Sequence, residues 1–241
     1  MKNSKKLLSH TQAVVLFIVL TVTFNVLGLK INGIIRQTDI ISDYIPYGSK
    51  ILGFILLVEM VLSVYFSPMK FNSKALRFSL KEDRKSFIDS CLISLVIIAG
   101  LLGFRFYMNM KNPVYREIPA FGLYLNMNAR WLYPINIVFQ EFFIKAFTQE
   151  NIGIMLNGIN TNEKQDGSKR GKAFLTTLIT SLFFFVLHVQ YRLYYMIGAF
   201  ILCFITGLLY ERDRNIWGAV MVHIALGFLP RCFGVLQIIE G

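Results

Sequence analysis

Seven apolar runs, separated by short polar stretches, constrain this chain more than anything else in its sequence. They span approximately Thr11–Leu29, Gly48–Phe66, Phe87–Tyr107, Leu132–Ile154, Ala173–Val189, Tyr194–Tyr210 and Ile216–Leu229. A hydrocarbon core about 30 Å thick takes roughly 20 helical residues to cross. Most of the runs approach that length, and Ile216–Leu229 is short enough to be tilted or half-buried. No water satisfies the backbone at that depth, so a spanning segment is a helix or part of a closed barrel. The alternating pattern of a barrel strand is absent. The expectation is an all-α, polytopic membrane bundle of about seven transmembrane helices.

Composition points the same way. Hydrophobic residues make up 55% of the 241, and charged residues only 16%, against roughly 25% in a soluble domain. A water-facing globule of this size would need more charge, and a disordered chain would hold far less apolar surface. The net charge of +11 belongs to the loops between runs. Those loops lack interleaved aromatics, so no nucleic-acid partner is expected, whereas anionic lipid is. Cys91, Cys203 and Cys232 lie far apart, which fits neither a disulfide framework nor a zinc motif.

The first run has a basic start at Lys2, Lys5 and Lys6 but no A-x-A-like site after it, so it reads as a retained helix rather than a leader. Its Asn25 is expected to hydrogen-bond to a neighbouring helix. Alternate loops carry fifteen Lys and Arg on the N-terminal side and nine on the other. That bias predicts a multi-pass protein of the cell membrane with a cytoplasmic N-terminus. Thr161–Lys172 reads as a hydrophilic cytoplasmic loop. Met110–Arg130, with Pro113, Pro119 and Gly122, reads as an irregular external one. Residues 1–127 are expected to form N-terminal transmembrane helices and loops, and residues 128–241 a core that carries the chemistry.

Ionisable groups inside the runs are costly and mark candidate sites. Glu59, alone in ILLVEMVLSVYF, is a protonated or cavity-facing carboxyl, a residue nearer the membrane interface than the run boundaries imply, or a catalytic group. Gln140 and Glu141 are adjacent and project about 100° apart on a helix. Glu141 and Lys145, four apart, share a face and can form an intrahelical ion pair. His188 follows Phe184 by four residues and is either packed there or functional. His223 has Gly227 one turn further along its face, which leaves room beside the imidazole. At about 1.5 Å per residue, Glu141 lies roughly 14 Å below the outer helix end, His223 roughly 9 Å and His188 roughly 5 Å. Three different helices could thus bring a carboxyl and two imidazoles to one wet cavity, an acid–base constellation.

Three signatures in order resemble those of the CPBP family, the CAAX protease and bacteriocin-processing or Abi family. Gln140–Lys145 (QEFFIK) resembles its E-E-x-x-x-R, Phe184–His188 (FFVLH) its F-x-x-x-H, and His223–Gly227 (HIALG) its H-x-x-x-N. The stretch ITGLLYERDRNIWGAVMVH also looks like the family's approach to its last histidine, and the resemblance covers roughly Leu132 to Pro230. It implies an intramembrane endopeptidase acting on a peptide or protein substrate in the membrane. The first Glu of the family pair activates water, and the histidines and Asn bind that water or the oxyanion. A divalent metal such as zinc, held by His188 and His223, belongs to some descriptions of the family and is absent from others. Carried over, the base position is Gln140, the second Glu is Glu141, the Arg position is Lys145 and the Asn position is Gly227.

Three departures follow. Gln140 cannot accept a proton as a carboxylate does. Gly227 lacks an oxyanion donor, which can be worth about 3–4 kcal/mol. Lys145 keeps the charge but not the fork of an Arg. The functions that remain are an endopeptidase using Glu141, His188 and His223, and a non-catalytic member that binds a hydrophobic peptide or partner, as in bacteriocin immunity. A small transporter using Glu59 is the third, although the two halves lack the symmetry common in transporters.

Overall fold

The computed structural model describes residues 9–37, 45–79, 83–118, 133–159, 166–189 and 193–240. Among them the regular structure is helical throughout: α1 (His10–Gln37), α2 (Ile45–Phe66), α3 (Arg84–Lys111), α4 (Tyr133–Glu141), α5 (Glu150–Ile159), α6 (Asp166–Leu187), α7 (Leu193–Asp213), α8 (Trp217–His223), α9 (Leu229–Cys232) and α10 (Val235–Glu240). A π-wound segment, Phe142–Gln149, joins α4 to α5, and a second, Ile224–Phe228, follows α8. Short 3-10 helices lie at Ser73–Leu76 and Pro113–Glu117. Each of the seven apolar runs coincides with helix. His10–Gly28, α3, Lys169–Leu187 and α7 are long and apolar enough to cross a membrane, and Phe54–Phe66 and Trp217–Phe228 are shorter apolar helices. The protein is a membrane helical bundle.

One expectation is corrected. Thr161–Lys172 is not wholly a loop, because α6 begins at Asp166 and carries Lys169, Arg170 and Lys172 in its first turns. These residues are good helix formers apart from the glycines, and a polar first turn costs a helix nothing in water. Of Met110–Arg130, Pro113–Glu117 is a 3-10 helix and 119–130 lies outside the described residues.

The chain groups into two compact units, one of residues 1–72 with 147–204, the other of 73–146 with 205–241. In the first unit α1 packs on α2, α5 and α6, and α5 packs on α6. Asn25 Nδ2 donates to Val186 O at 3.2 Å, the interhelical bond its position predicted. Fully buried Asn151 ties three places together. Its Nδ2 donates to Lys70 O and Phe147 O at 2.6 and 2.7 Å, and its Oδ1 accepts from Lys70 N at 2.9 Å and from His10 Nε2 at 3.0 Å.

In the second unit α3 packs on α8 and on the π segment that follows it, and α4 packs on both as well. α3 is inside out relative to a helix in water. It buries Ser86, Ser90, Ser94 and Arg105 and exposes Leu92, Leu95, Val96 and Phe106. Lipid is the solvent in which that arrangement is favourable, since apolar surface gains nothing by burial there and polar groups must find partners inside. Arg105 donates to the carbonyls of Gly234, Tyr115 and Ile118. Gly234, at φ 65, occupies the left-handed conformation that a side chain would disfavour.

The entry to α8 is locked by polar contacts of the DRNIW stretch. Asn215 Nδ2 donates to Asp83 Oδ1 at 2.9 Å, and its Oδ1 accepts from Trp217 N at 3.2 Å. Ile216 N donates to Ala75 O, Trp217 Nε1 to Leu76 O, and Ser86 Oγ to Asp213 Oδ2 at 2.6 Å. Between them, Ala75, Ile137, Ala146, Tyr210, Ile216 and Val220 form a buried apolar cluster.

Gly218 sits where α8 meets α3. A Cβ built on it would lie 2.5 Å from Ser90 Oγ and 3.2 Å from Ser86 Oγ. A small residue opposite hydroxyls is how helices approach closely in lipid. Ser90 can rotate its hydroxyl away from a single methyl, but neither serine can clear a branched side chain. Gly218→Ala is therefore expected to melt close to the parent, and Gly218→Leu to lose about 1–3 kcal/mol, or roughly 5 °C, by overpacking. Thermal unfolding in detergent measures both, and a Leu variant as stable as the parent would remove this contact from the account of α8.

Candidate active site

Glu141 is the last residue of α4, and His223 is the last residue of α8. Each is therefore the final α-helical position before a π-wound segment. Such widened turns recur at functional sites, because they change the register of the side chains that follow. The packing of α4 on α8 brings the two together. His223 Nδ1 donates to Glu141 Oε1 at 2.7 Å, and both side chains are almost wholly buried. Glu141 Oε2, also buried, has no hydrogen-bond partner among the described residues.

Glu141 thus takes a different partner from the one its spacing offered. Oε1 goes to His223 and Oε2 accepts no hydrogen bond, so Lys145 does not donate to it. Lys145 lies in the first π segment and is fully buried. The i,i+4 rule assumes α geometry on both sides of the pair, and here the winding changes directly after Glu141. Gln140 is half-buried on α4, and Gly227 is half-buried within the second π segment.

His188 follows α6 in the first unit. Its Nδ1 donates to Phe184 O at 2.8 Å, and its ring lies 4.4 Å from that of buried Phe184. The packing predicted for a histidine four residues after a phenylalanine is present. Both imidazoles have Nδ1 committed, one to a carboxylate and one to a carbonyl. A neutral ring so held keeps its lone pair on Nε2, which suits it to accept a proton or to bind a metal. No three His, Cys, Asp or Glu side chains among the described residues converge as metal ligands. That donor set does not fit a zinc site, which takes three or four protein ligands.

Residues 122–229 match the family model described as Rce1-like, Type II CAAX prenyl endopeptidase Rce1-like. The match is consistent with a core of the CAAX-protease family. No curated protein and no solved structure matches the chain. The matched stretch contains all three signatures, and it is Glu141 whose carboxylate meets the last of the three histidines, His223. Nothing in the sequence pattern chose between Gln140 and Glu141 by direction; the contact to His223 is made by Glu141. The anchoring set Asp83, Ser86, Asp213 and Asn215 was not singled out, although the polar turn that contains two of its members is visible in YERDRN.

The buried contact makes a stability test possible without any substrate. Glu141→Gln keeps an acceptor for His223 Nδ1, whereas Glu141→Ala leaves a buried N–H unsatisfied. The Ala variant is expected to lose about 1–3 kcal/mol and the Gln variant clearly less. Equal melting temperatures for the two variants in detergent would show that the bond does not contribute to the fold.

Proposed function

We propose that this protein is an intramembrane endopeptidase of the CAAX-protease type that hydrolyses a peptide bond in a membrane-associated peptide or protein. The observation that carries this reading is the buried 2.7 Å contact between Glu141 and His223, with Glu141 Oε2 unpartnered beside it. His223 Nδ1–H fixes Oε1, which leaves Oε2 to accept a proton from water. The water oxygen adds to the scissile carbonyl carbon as that proton moves to Glu141, and the carbonyl π electrons move to oxygen. Collapse of the tetrahedral adduct breaks the C–N bond, and the proton held on Glu141 passes to the leaving nitrogen. The resemblance adds His188 as a second imidazole that steadies the water or the oxyanion.

A second reading is favoured by Gln140 and Gly227, which stand where the family has a base and an oxyanion donor. On that reading the core binds a hydrophobic peptide or partner protein without cutting it, as in bacteriocin immunity. For either reading we place the protein in the cell membrane, N-terminus in the cytoplasm. The basic loops would rest against anionic lipid, since each Lys or Arg near such a surface contributes about 1 kcal/mol.

Cleavage of candidate membrane peptides by purified protein separates the two readings. For an active enzyme, Glu141→Gln and His223→Ala are expected to lower kcat by about 10²–10⁴-fold, and His188→Ala to lower it as well. Full turnover in Glu141→Gln would sink the proposed mechanism. For a binding protein the parent is inert, and Gln140→Glu with Gly227→Asn creates turnover. Topology is read with a membrane-impermeant maleimide on Ser4→Cys in a chain lacking Cys91, Cys203 and Cys232. Labelling is expected only after cells are permeabilised, and labelling of intact cells would reverse the orientation.

A further inference from the structure

Glu59 lies outside the matched core and has no part in the chemistry above. It projects from α2, where the described apolar stretch Phe54–Phe66 surrounds it. The side chain is buried against α1 rather than turned to lipid. Its Oε2 accepts from Thr21 Oγ1 at 3.0 Å, and that hydroxyl also bonds to Phe17 O at 2.8 Å. Thr21 has one proton to share between the two, so it compensates little of a carboxylate's charge. Oε1 is buried with no hydrogen-bond partner among the described residues.

No positive side chain is described near it. α1 is the element packed on this stretch of α2. Between His10 and Gly28 the ionisable group on α1 is His10 itself, which lies eleven residues from Thr21 and is bonded to Asn151. Eleven residues are about 16 Å of helix. On α2 itself, between 54 and 66, the other titratable group is Tyr65, which is exposed. A carboxylate at membrane depth costs several kcal/mol unless a counter-charge reaches it. The polar atoms described at Glu59 are oxygens: its own two and the Thr21 hydroxyl, which bonds in turn to the Phe17 carbonyl. Oxygen donors select a proton or a hard metal cation and exclude soft ones.

We propose that Glu59 is the binding site for one small monovalent cation, a proton or Na⁺, taken from the aqueous phase, and that its occupancy holds α2 against α1. Binding to the folded state alone stabilises it by mass action. Stability is therefore highest when the cation is abundant and falls as it is withdrawn. Divalent ions fit poorly, because a single carboxylate would leave one positive charge uncompensated in lipid.

The test is thermal unfolding of the purified protein in detergent, followed by thiol exposure at the three free cysteines. Between about pH 5 and about pH 8 in choline chloride, the parent is expected to lose roughly 3 °C or more as pH rises, and Glu59→Gln to lose less than half as much. Recovery of the parent at high pH by NaCl, but not by choline chloride, identifies Na⁺. No recovery, with the pH dependence retained, identifies the proton. Identical pH and salt dependence in parent and variant overturns the proposal.

If Glu59→Gln does not fold, labelling of the parent by a hydrophobic carbodiimide decides, with the modified residue located by peptide mass spectrometry. Modification of Glu59 that declines with rising pH or with added Na⁺ supports the site. Modification indifferent to both, or none at Glu59 at any pH, overturns it. None of these outcomes depends on whether the core cleaves peptides.

Discussion

A polar group at the depth of lipid tails must find its partner inside the protein, and most of what holds this bundle together answers that demand. The hydrophobic effect assembles helices in water, but lipid is as apolar as leucine and supplies no such force between them. Beside an apolar core, many of the buried positions are polar or small. α3 turns Ser86, Ser90 and Ser94 toward the interior, and Gly218 on α8 lies close enough that one methyl would crowd a hydroxyl. α6 buries Thr176, Thr177, Thr180 and Ser181. Thr180 and Ser181 return their hydroxyls to the carbonyls four residues back. Gly153 on α5 lies against Thr176. One residue that serves several segments is an amide, which has two donors and an acceptor: Asn151 uses all of them.

The same demand explains which parts of the fold the sequence disclosed. Apolar run length is a direct consequence of bilayer thickness, so each run could be read as helix. Asn25 was legible because an amide in an apolar run has few roles besides bonding a neighbour, and Val186 O is that neighbour. The pairing of Glu141 was less legible. Spacing pointed to Lys145, and the partner is His223, 82 positions further along. Helix periodicity describes faces within one helix, whereas the choice between two partners depends on which helices pack and on where the winding changes. The two π-wound segments are invisible for the same reason: FFIKAFTQ and IALGF have no composition that separates i→i+5 bonding from i→i+4. Motif order found the residues, and tertiary packing decided their bonds.

The positions of those segments bear on the chemistry. An α-helix that continued unbroken past Glu141 or His223 would keep every later side chain in one register with the residues before it. A π turn directly after each residue changes that register without ending the helix. The α4 and α8 packing that brings carboxylate to imidazole can then coexist with a different packing of Phe142–Gln149 and Ile224–Phe228. Buried Ala146 and partly buried Phe142, Ile224 and Phe228 all join the apolar cluster around Tyr210 and Ile216. The Glu141–His223 pair is thereby held by apolar neighbours that follow it in the chain, and by the Asp83–Asn215 lock at the start of α8.

Stability alone gives a poor reason for burying a carboxylate against an imidazole. Replacing a buried ionisable pair with apolar residues is often neutral or stabilising, because two polar groups lose their water. Elsewhere this scaffold meets much of its polar demand with hydroxyls, amides and glycine contacts, although Glu59, Arg105 and Lys145 are buried as well. Glu141 with His223 falls within the matched stretch, at two of the positions where the sequence resembles the family's motifs. On the proposed reading, that placement follows from the chemistry rather than from stability alone. Gln140 sharpens the point. With a neutral amide at the neighbouring position, Glu141 is the carboxylate on α4, so whatever acid–base work this helix performs is done from the side that faces His223.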